Sequence, residues 1–220
     1  MRMRQAAILI SSLILLAVAG VAQSAKIDTQ RSTMTVKVGK AGLFSPFGHD
    51  HEIRAPIAAG AISTAGARSV ELTVDARRMQ VLDPDLSVKD RAEVQNTMHS
   101  AAVLDSERFP QIRFVSRTIE ASGENHYRVS GELTLHGVTR PVTVKVEQRD
   151  DRYTGSANVK QTDFGIKLVN VAGGTVKVKD QVEIVFEIAT EAQSPAAALL
   201  GVERSAARER SSVAIATPSR

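Results

Sequence analysis

The sequence predicts an all-β protein of about eight antiparallel strands with one short helix. From residue 26 to about residue 191, apolar and polar residues alternate along most of the chain. A period of two is typical of strands that turn one face to a core and the other to water. The alternating runs lie at residues 34–38, 70–76, 112–114, 129–135, 142–146, 153–159 and 182–188, with weaker segments at 58–62 and 175–179.

The spacing of these runs is typical of either a sandwich or a barrel. A sheet of this size stacks on a second sheet or closes on itself, and a closed sheet of eight strands can hold one small ligand. Several residues predicted on the inward face are small, which favours free volume inside. They are Ala76, Gly131, Gly155 and Ala157. The pattern alone leaves both a packed sandwich and a barrel with a cavity open.

Residues 87–98 break the alternation and predict a helix. Ser87 can act as its N-cap, and Asp90 stands three residues later, which is a variant of the capping box. We predict a helix over Val88–Met98. Such a helix can cover one end of a barrel.

Residues 1–25 have the layout of a secretory signal peptide. Arg2 and Arg4 precede an apolar run over residues 6–22, and small residues follow. The run is slightly short for a membrane span, which needs ~20 apolar residues. We expect cleavage that leaves the mature chain starting within residues 23–26, and a periplasmic or secreted protein. An uncleaved anchor is the alternative.

Residues 192–220 are rich in Ala, Ser, Arg and Pro and have no apolar period, so we predict a disordered tail. Any contact of this tail with a membrane surface is expected to be transient. Removing residues 1–25 takes away two arginines and no acid, which lowers the formal net charge from +4 to +2. Such a small charge does not point to nucleic acid, and we expect no nucleic-acid partner.

Several segments resemble the YceI-like family. The most specific is the hairpin GELTLHGVTRPV at residues 131–142. Weaker similarities occur in order along the chain, at residues 27–36, 99–100, 109–114, 161–166 and 179–184. The resemblance implies an extended, lipocalin-like antiparallel barrel over residues 26–191. It also implies a long apolar channel that binds a polyisoprenoid or a similar fatty chain outside the cytoplasm.

One feature departs from the family. Many relatives carry a histidine at the end of the first strand, where this chain has Gly39 and Lys40. The segment that follows contains His49 and His51 instead. Residues two apart on a strand face the same side, so this pair can contact a ligand head group. The pair can also bind a divalent ion with a third ligand, or simply satisfy backbone groups at a loop end.

The candidate ligand-binding residues combine histidines with aromatic side chains. Apolar pockets favour aromatic walls with few polar groups, although each of these rings can equally belong to an ordinary core. The predicted set is Phe44, Phe47, His49, His51, His99, Phe109, Phe114 and Phe164.

No motif for nucleophilic, phosphate or zinc chemistry is present, and the chain has no cysteine. We therefore predict a non-catalytic protein without cofactor or bound metal. The resemblance to the YceI-like family implies that its ligand is a long-chain apolar lipid, such as a polyisoprenoid, an isoprenoid quinone or a fatty-acid-like molecule. The barrel interior would hold that lipid for carriage, storage or sequestration outside the cytoplasm. The alternative is a metal-binding protein or metal-dependent enzyme centred on His49 and His51.

Overall fold

Eight antiparallel strands close into a barrel in the computed structural model, which describes residues 24–41, 50–64, 66–171 and 176–191. The strands are β1 (Ser24–Ala41), β2 (His51–Arg54), β3 (Ile57–Ser63), β4 (Ser69–Asp75), β5 (Gln80–Val81), β6 (Gln111–Gly123), β7 (His126–Leu135), β8 (Val138–Arg149), β9 (Arg152–Lys160), β10 (Asn170–Val171) and β11 (Val176–Thr190). Around the barrel the order is β1-β3-β4-β6-β7-β8-β9-β11, and β11 pairs with β1 to close it. The barrel is therefore confirmed, and the packed sandwich is excluded.

Three short strands extend the barrel wall. β2 pairs with the second half of β1, β5 pairs with β2, and β10 pairs with the start of β11. β1 can accept both β3 and β2 on one edge because it is 18 residues long. Its first residues pair with β3, and residues 35–38 pair with β2.

The weak segment predicted at residues 175–179 is not a separate strand. The described part of it forms the beginning of β11, which continues without a turn to Thr190. Asp180 interrupts the apolar pattern because its carboxylate binds Thr162 of the neighbouring 3₁₀ helix. It accepts hydrogen bonds from the Thr162 backbone N–H at 2.9 Å and from the Thr162 hydroxyl at 2.8 Å. These bonds lower the pKa of Asp180 and hold the short 3₁₀ helix Gln161–Phe164 against β11.

The predicted helix is present as α1, which spans Val88–His99. The Ser87 hydroxyl accepts from the Asp90 backbone N–H at 3.1 Å and donates to the Asp90 carboxylate at 2.8 Å. α1 is tied to the barrel through Gln95, which accepts from the Val81 N–H and donates to the Met79 carbonyl, each at 2.7 Å. Within the described ranges, no helix has the length and apolar character needed to cross a bilayer.

Two glycines that were expected to leave free volume inside the barrel do not do so. A Cβ atom added at Gly131 would lie 2.6 Å from Phe114 Cζ, and one at Gly155 would lie 2.6 Å from Phe186 Cζ. The rings of the two phenylalanines therefore occupy the space above the glycines. Each added Cβ would also collide with a backbone carbonyl of the neighbouring strand, that of Val115 or of Lys145. These glycines permit close packing of ring against strand, which is the known use of glycine inside a strand.

Candidate ligand-binding cavity

The barrel encloses a cavity of about 410 Å³. This volume lies within the range of about 300–1,000 Å³ that is usual for small-molecule sites. Every barrel strand contributes to the wall, because the inward residues of each alternating run face it. The apolar lining includes Met34, Val36, Val38, Val70, Leu72, Val74, Ile112, Phe114, Val129, Leu133, Leu135, Val142, Val144, Val146, Ala157, Val159, Val182, Ile184, Phe186 and Ile188.

The cavity is long in the direction of the strands. On β7 the lining runs from Tyr127 to Leu135. Eight residue steps on an antiparallel strand cover about 27 Å. A long, narrow, apolar space of this kind fits an extended hydrocarbon chain better than a compact, polar molecule.

The polar lining residues gather at one end, which we call the polar mouth. It is formed by the end of β3, the connection to β4, the end of β8 and the beginnings of β7 and β9. In the register, Tyr127 pairs with Val146 and Gln148 pairs with Tyr153, which places them on adjoining strands at the same end. The polar mouth comprises Ser63, Thr64, Arg68, Tyr127, Gln148 and Tyr153. A further polar lining residue, Gln161, lies elsewhere and donates to the Lys179 carbonyl at 2.8 Å.

Arg68 is the charged group of the polar mouth. Its guanidinium carbon lies 5.6 Å from the centroid of the Tyr127 ring, within cation–π distance. Burial raises the pKa of the nearby Tyr153 phenol above its usual value, with smaller contributions from Tyr127 and Asp151. Tyr153 is therefore protonated at neutral pH and can donate a hydrogen bond.

The opposite region of the cavity is apolar and lies beside the helix. Met98 at the end of α1 is buried, and Val103 and Leu104 follow it in the turns after the helix. Met79 and Ile166 complete this part of the wall. The two ends of the cavity therefore differ in chemistry, as the two ends of an amphiphilic lipid do.

Among the predicted aromatic residues that the structure describes, Phe114 lines the cavity. Phe164 is buried in the core, with 1% of its surface exposed, and does not reach the cavity wall. Phe109 packs edge-on against His136, with ring centroids 5.1 Å apart, outside the cavity lining. His136 itself contacts the Phe164 carbonyl at 3.2 Å through Nδ1. These contacts dock the hairpin turn at His136 against the 3₁₀ helix.

His51 also lies outside the cavity lining. Its Nδ1 is 2.6 Å from Oδ2 of Asp83, and the other carboxylate oxygen of Asp83 accepts from the Glu52 backbone N–H at 2.7 Å. Asp83 is buried, with 6% of its surface exposed. A buried carboxylate needs such partners, so the observed role of His51 is to satisfy Asp83.

His99 takes part in a second structural network. Its Nδ1 lies 3.0 Å from the hydroxyl of Ser106, which is almost fully buried. Its Nε2 lies 2.6 Å from Gln95 Nε2 and 3.2 Å from the Met79 carbonyl oxygen. This network joins the end of α1 to the turns after it and does not face the cavity.

The remaining predicted residues, Phe44, Phe47 and His49, lie outside the described residues. In the part of the chain that the structure describes, no three His, Cys, Asp or Glu side chains come together in a way that could hold a metal ion.

The polar mouth was absent from the sequence-based site. Tyr127 and Tyr153 continue the inward alternation of β7 and β9 to the strand ends, so the period-two pattern contained a signal for both. Arg68 lies in a connection without periodicity. Nothing in the local sequence assigns it to the barrel interior.

This barrel is similar in sequence to curated proteins and similar in fold to a solved structure. UPF0312 proteins of Pseudomonas putida (strain W619) and Shewanella denitrificans are 34% and 32% identical to it over 104 and 105 residues. Each alignment covers 43% of this chain, and 54% or 55% of the relative, so the chain spans about half the length of these relatives. The crystal structure of BcnA from Burkholderia cenocepacia is similar in fold. It has a TM-score of 0.58 at 21% identity, and the match covers 74% of this chain and 98% of that one.

A family model described as the YceI-like domain matches residues 26–190. The match contains all eight strands of the barrel apart from the first two residues of β1, and it contains the whole cavity lining. The chain belongs to the YceI-like family.

Proposed function

We propose that this protein binds a long-chain apolar lipid inside the barrel. A predominantly apolar wall around an elongated cavity inside the barrel is the observation that supports the proposal. The family and the fold are consistent with a hydrophobic ligand. A polyisoprenoid, an isoprenoid quinone or a fatty-acid-like molecule has the required shape.

Burial of hydrocarbon would supply most of the binding free energy. Each methylene taken out of water contributes ~0.8 kcal/mol, so eight methylenes contribute roughly 6 kcal/mol. A single neutral hydrogen bond contributes only ~1 kcal/mol. Affinity would therefore depend on the length of the chain more than on any one polar contact.

The role we propose is non-catalytic carriage, storage or sequestration of the lipid. The YceI-like family is not known for enzymatic activity. Among the described residues, the cavity wall contains no carboxylate, histidine or cysteine, which are the side chains that most often act as a general base or bind a metal ion. His49 and His51 would support the alternative of a metal site only if further ligands joined them.

The lipid proposal predicts that purified protein carries about one equivalent of a long-chain lipid. Mass spectrometry of an organic extract identifies the lipid. Protein stripped of lipid and reloaded provides the control, because it should recover the same stoichiometry. Elemental analysis of the same sample tests the alternative. One equivalent of a divalent metal with no lipid in the extract would replace our proposal with a metal site at His49 and His51.

We also propose that the lipid is bound outside the cytoplasm, in the periplasm or after secretion. The basic start, apolar run and small residues of the first 25 positions support export. Intact-mass analysis of the exported protein should then give a chain that begins within residues 23–26. Retention of Met1 in the exported protein would contradict cleavage and favour the membrane anchor.

A further inference from the structure

We propose that the polar mouth is a head-group site that selects amphiphiles with an anionic oxygen head, such as a carboxylate, over neutral ones with the same chain. This inference rests on the proposed lipid binding and adds the chemistry of the head group. It depends on Arg68, Tyr127 and Tyr153, which lie together at one end of an otherwise apolar cavity.

Three side chains of the mouth carry hydrogen-bond donors that have no hydrogen-bond partner among the described residues: Arg68, Tyr127 and Tyr153. The Arg68 side chain stacks on the Tyr127 ring and donates no hydrogen bond to a described residue. The hydroxyl groups of Tyr127 and Tyr153 likewise have no hydrogen-bond partner among the described residues. A guanidinium carries five N–H donors in a planar fork that matches the two oxygens of a carboxylate.

The charge at the mouth also favours an anion. Arg68 is the charged residue of the described cavity wall, which contains no acidic side chain. The nearest acid to Tyr153 that affects its titration is Asp151, and this carboxylate is already paired with Arg31 at 2.7 Å. A carboxylate bound at the mouth would therefore meet two phenol donors and the guanidinium of Arg68, which has no acidic partner among the described residues.

The apolar wall determines which way the ligand lies. A chain that enters with its head at the polar mouth places its tail toward Met98 and Leu104, where the wall is apolar. The reverse orientation would bury a charged head against these side chains without hydrogen bonds, which is costly. The orientation and the head-group preference thus follow from the same distribution of polar residues.

The test compares oleate with oleyl alcohol, which have the same chain and differ in head group. Titration calorimetry is performed below the critical micelle concentration at pH 7.5 with wild-type protein, Arg68→Gln and Arg128→Gln. Arg128 is the matched control because it is exposed, follows Tyr127 on β7 and does not line the cavity.

We expect wild type to bind oleate about fivefold more tightly than oleyl alcohol, because the ion pair at an exposed mouth is partly screened by solvent. Arg68→Gln should bind oleate about fivefold more weakly than wild type does, which removes the preference for oleate over the alcohol. Arg128→Gln should keep the wild-type preference. The preference should also shrink as salt rises from 0.05 to 0.5 M.

The outcomes separate this inference from the proposed function. Equal affinity of wild type for both ligands would overturn the head-group site and leave lipid binding intact. A preference that survives in Arg68→Gln would also overturn it. Binding of neither ligand to lipid-free wild type would overturn both proposals.

Discussion

Replacement of Ala157 by phenylalanine is expected to abolish lipid binding and leave the barrel folded. Ala157 lies on β9, lines the cavity and is buried, with 7% of its surface exposed. A benzyl group at this position would project into the cavity and stop a chain from passing. If only four methylenes lose their place, ~3 kcal/mol of burial is lost, which is more than ~100-fold in Kd.

The matched control is Asn158→Phe. Asn158 is the next residue on β9 and faces solvent, so the same ring would lie outside the barrel. It should bind oleate with wild-type affinity. Titration calorimetry measures the affinities, and far-ultraviolet circular dichroism checks that both variants keep their β content. The Ala157 variant should lose no more than about 1–3 kcal/mol of stability to overpacking, since the ring has the cavity to occupy.

Wild-type affinity in a folded Ala157→Phe protein would place the ligand elsewhere and refute the cavity as the binding site. Loss of binding in Asn158→Phe as well would show that an added aromatic ring on β9 acts through the strand and not through the cavity.

Gly155→Ala should produce the largest loss of stability of any single methyl addition in β9. The added Cβ would collide with the Lys145 carbonyl oxygen and would lie 2.6 Å from Phe186 Cζ. The Lys145 carbonyl cannot retreat easily, since it belongs to the backbone of β8, which is paired with β9. We expect a loss of roughly 2–4 kcal/mol in the free energy of unfolding.

Urea unfolding at pH 7 measures this loss, and the melting temperature should fall by about 5–15 °C. Ser156→Ala is the control because Ser156 is adjacent on β9 and its hydroxyl has no hydrogen-bond partner among the described residues. Its effect should stay within about 0.5 kcal/mol. The double variant Gly155→Ala with Phe186→Leu should recover only part of the loss, because the Lys145 carbonyl remains in place.

A loss smaller than about 0.5 kcal/mol in Gly155→Ala would mean that strand and ring can move apart. In that case Gly155 would not be required for the packing of Phe186, and small inward residues would have to be reconsidered as a source of cavity volume.

Local features of the fold could be predicted because their causes are local. The alternation of Val142, Val144 and Val146 indicates a strand with one buried face, whatever position that strand takes in the sheet. Ser87 and Asp90 cap a helix through atoms three residues apart. The pair His136 and Gly137 adopts positive φ angles of 52° and 74°, which is the two-residue hairpin turn that such a pair favours.

The candidate site was harder to predict because its residues are distant in sequence. His51 was singled out by its spacing from His49, but its described partner is Asp83, 32 residues away. Phe109 and Phe164 are aromatic, as the wall of a lipid channel would be, but they do not line the cavity. Phe109 packs against His136, and Phe164 is buried in the core. Residue type thus identified apolar side chains without showing which of them face the cavity.

By itself, the sequence determined that the chain forms amphipathic strands, one capped helix and a cysteine-free core, since each depends on neighbours within a few residues. The resemblance to the YceI-like family implied a barrel with an apolar channel, but the local pattern left closure open, and the tertiary structure decided closure, the cavity wall and the polar mouth. Closure requires β1 to meet β11, from the other end of the domain, with Val36 opposite Ile184. The free volume is reduced where the rings of Phe114 and Phe186 fill the space above Gly131 and Gly155 on neighbouring strands. The polar mouth depends on the connection that brings Arg68 onto Tyr127. These contacts join residues far apart in the chain, and a local pattern carries no information about such distances.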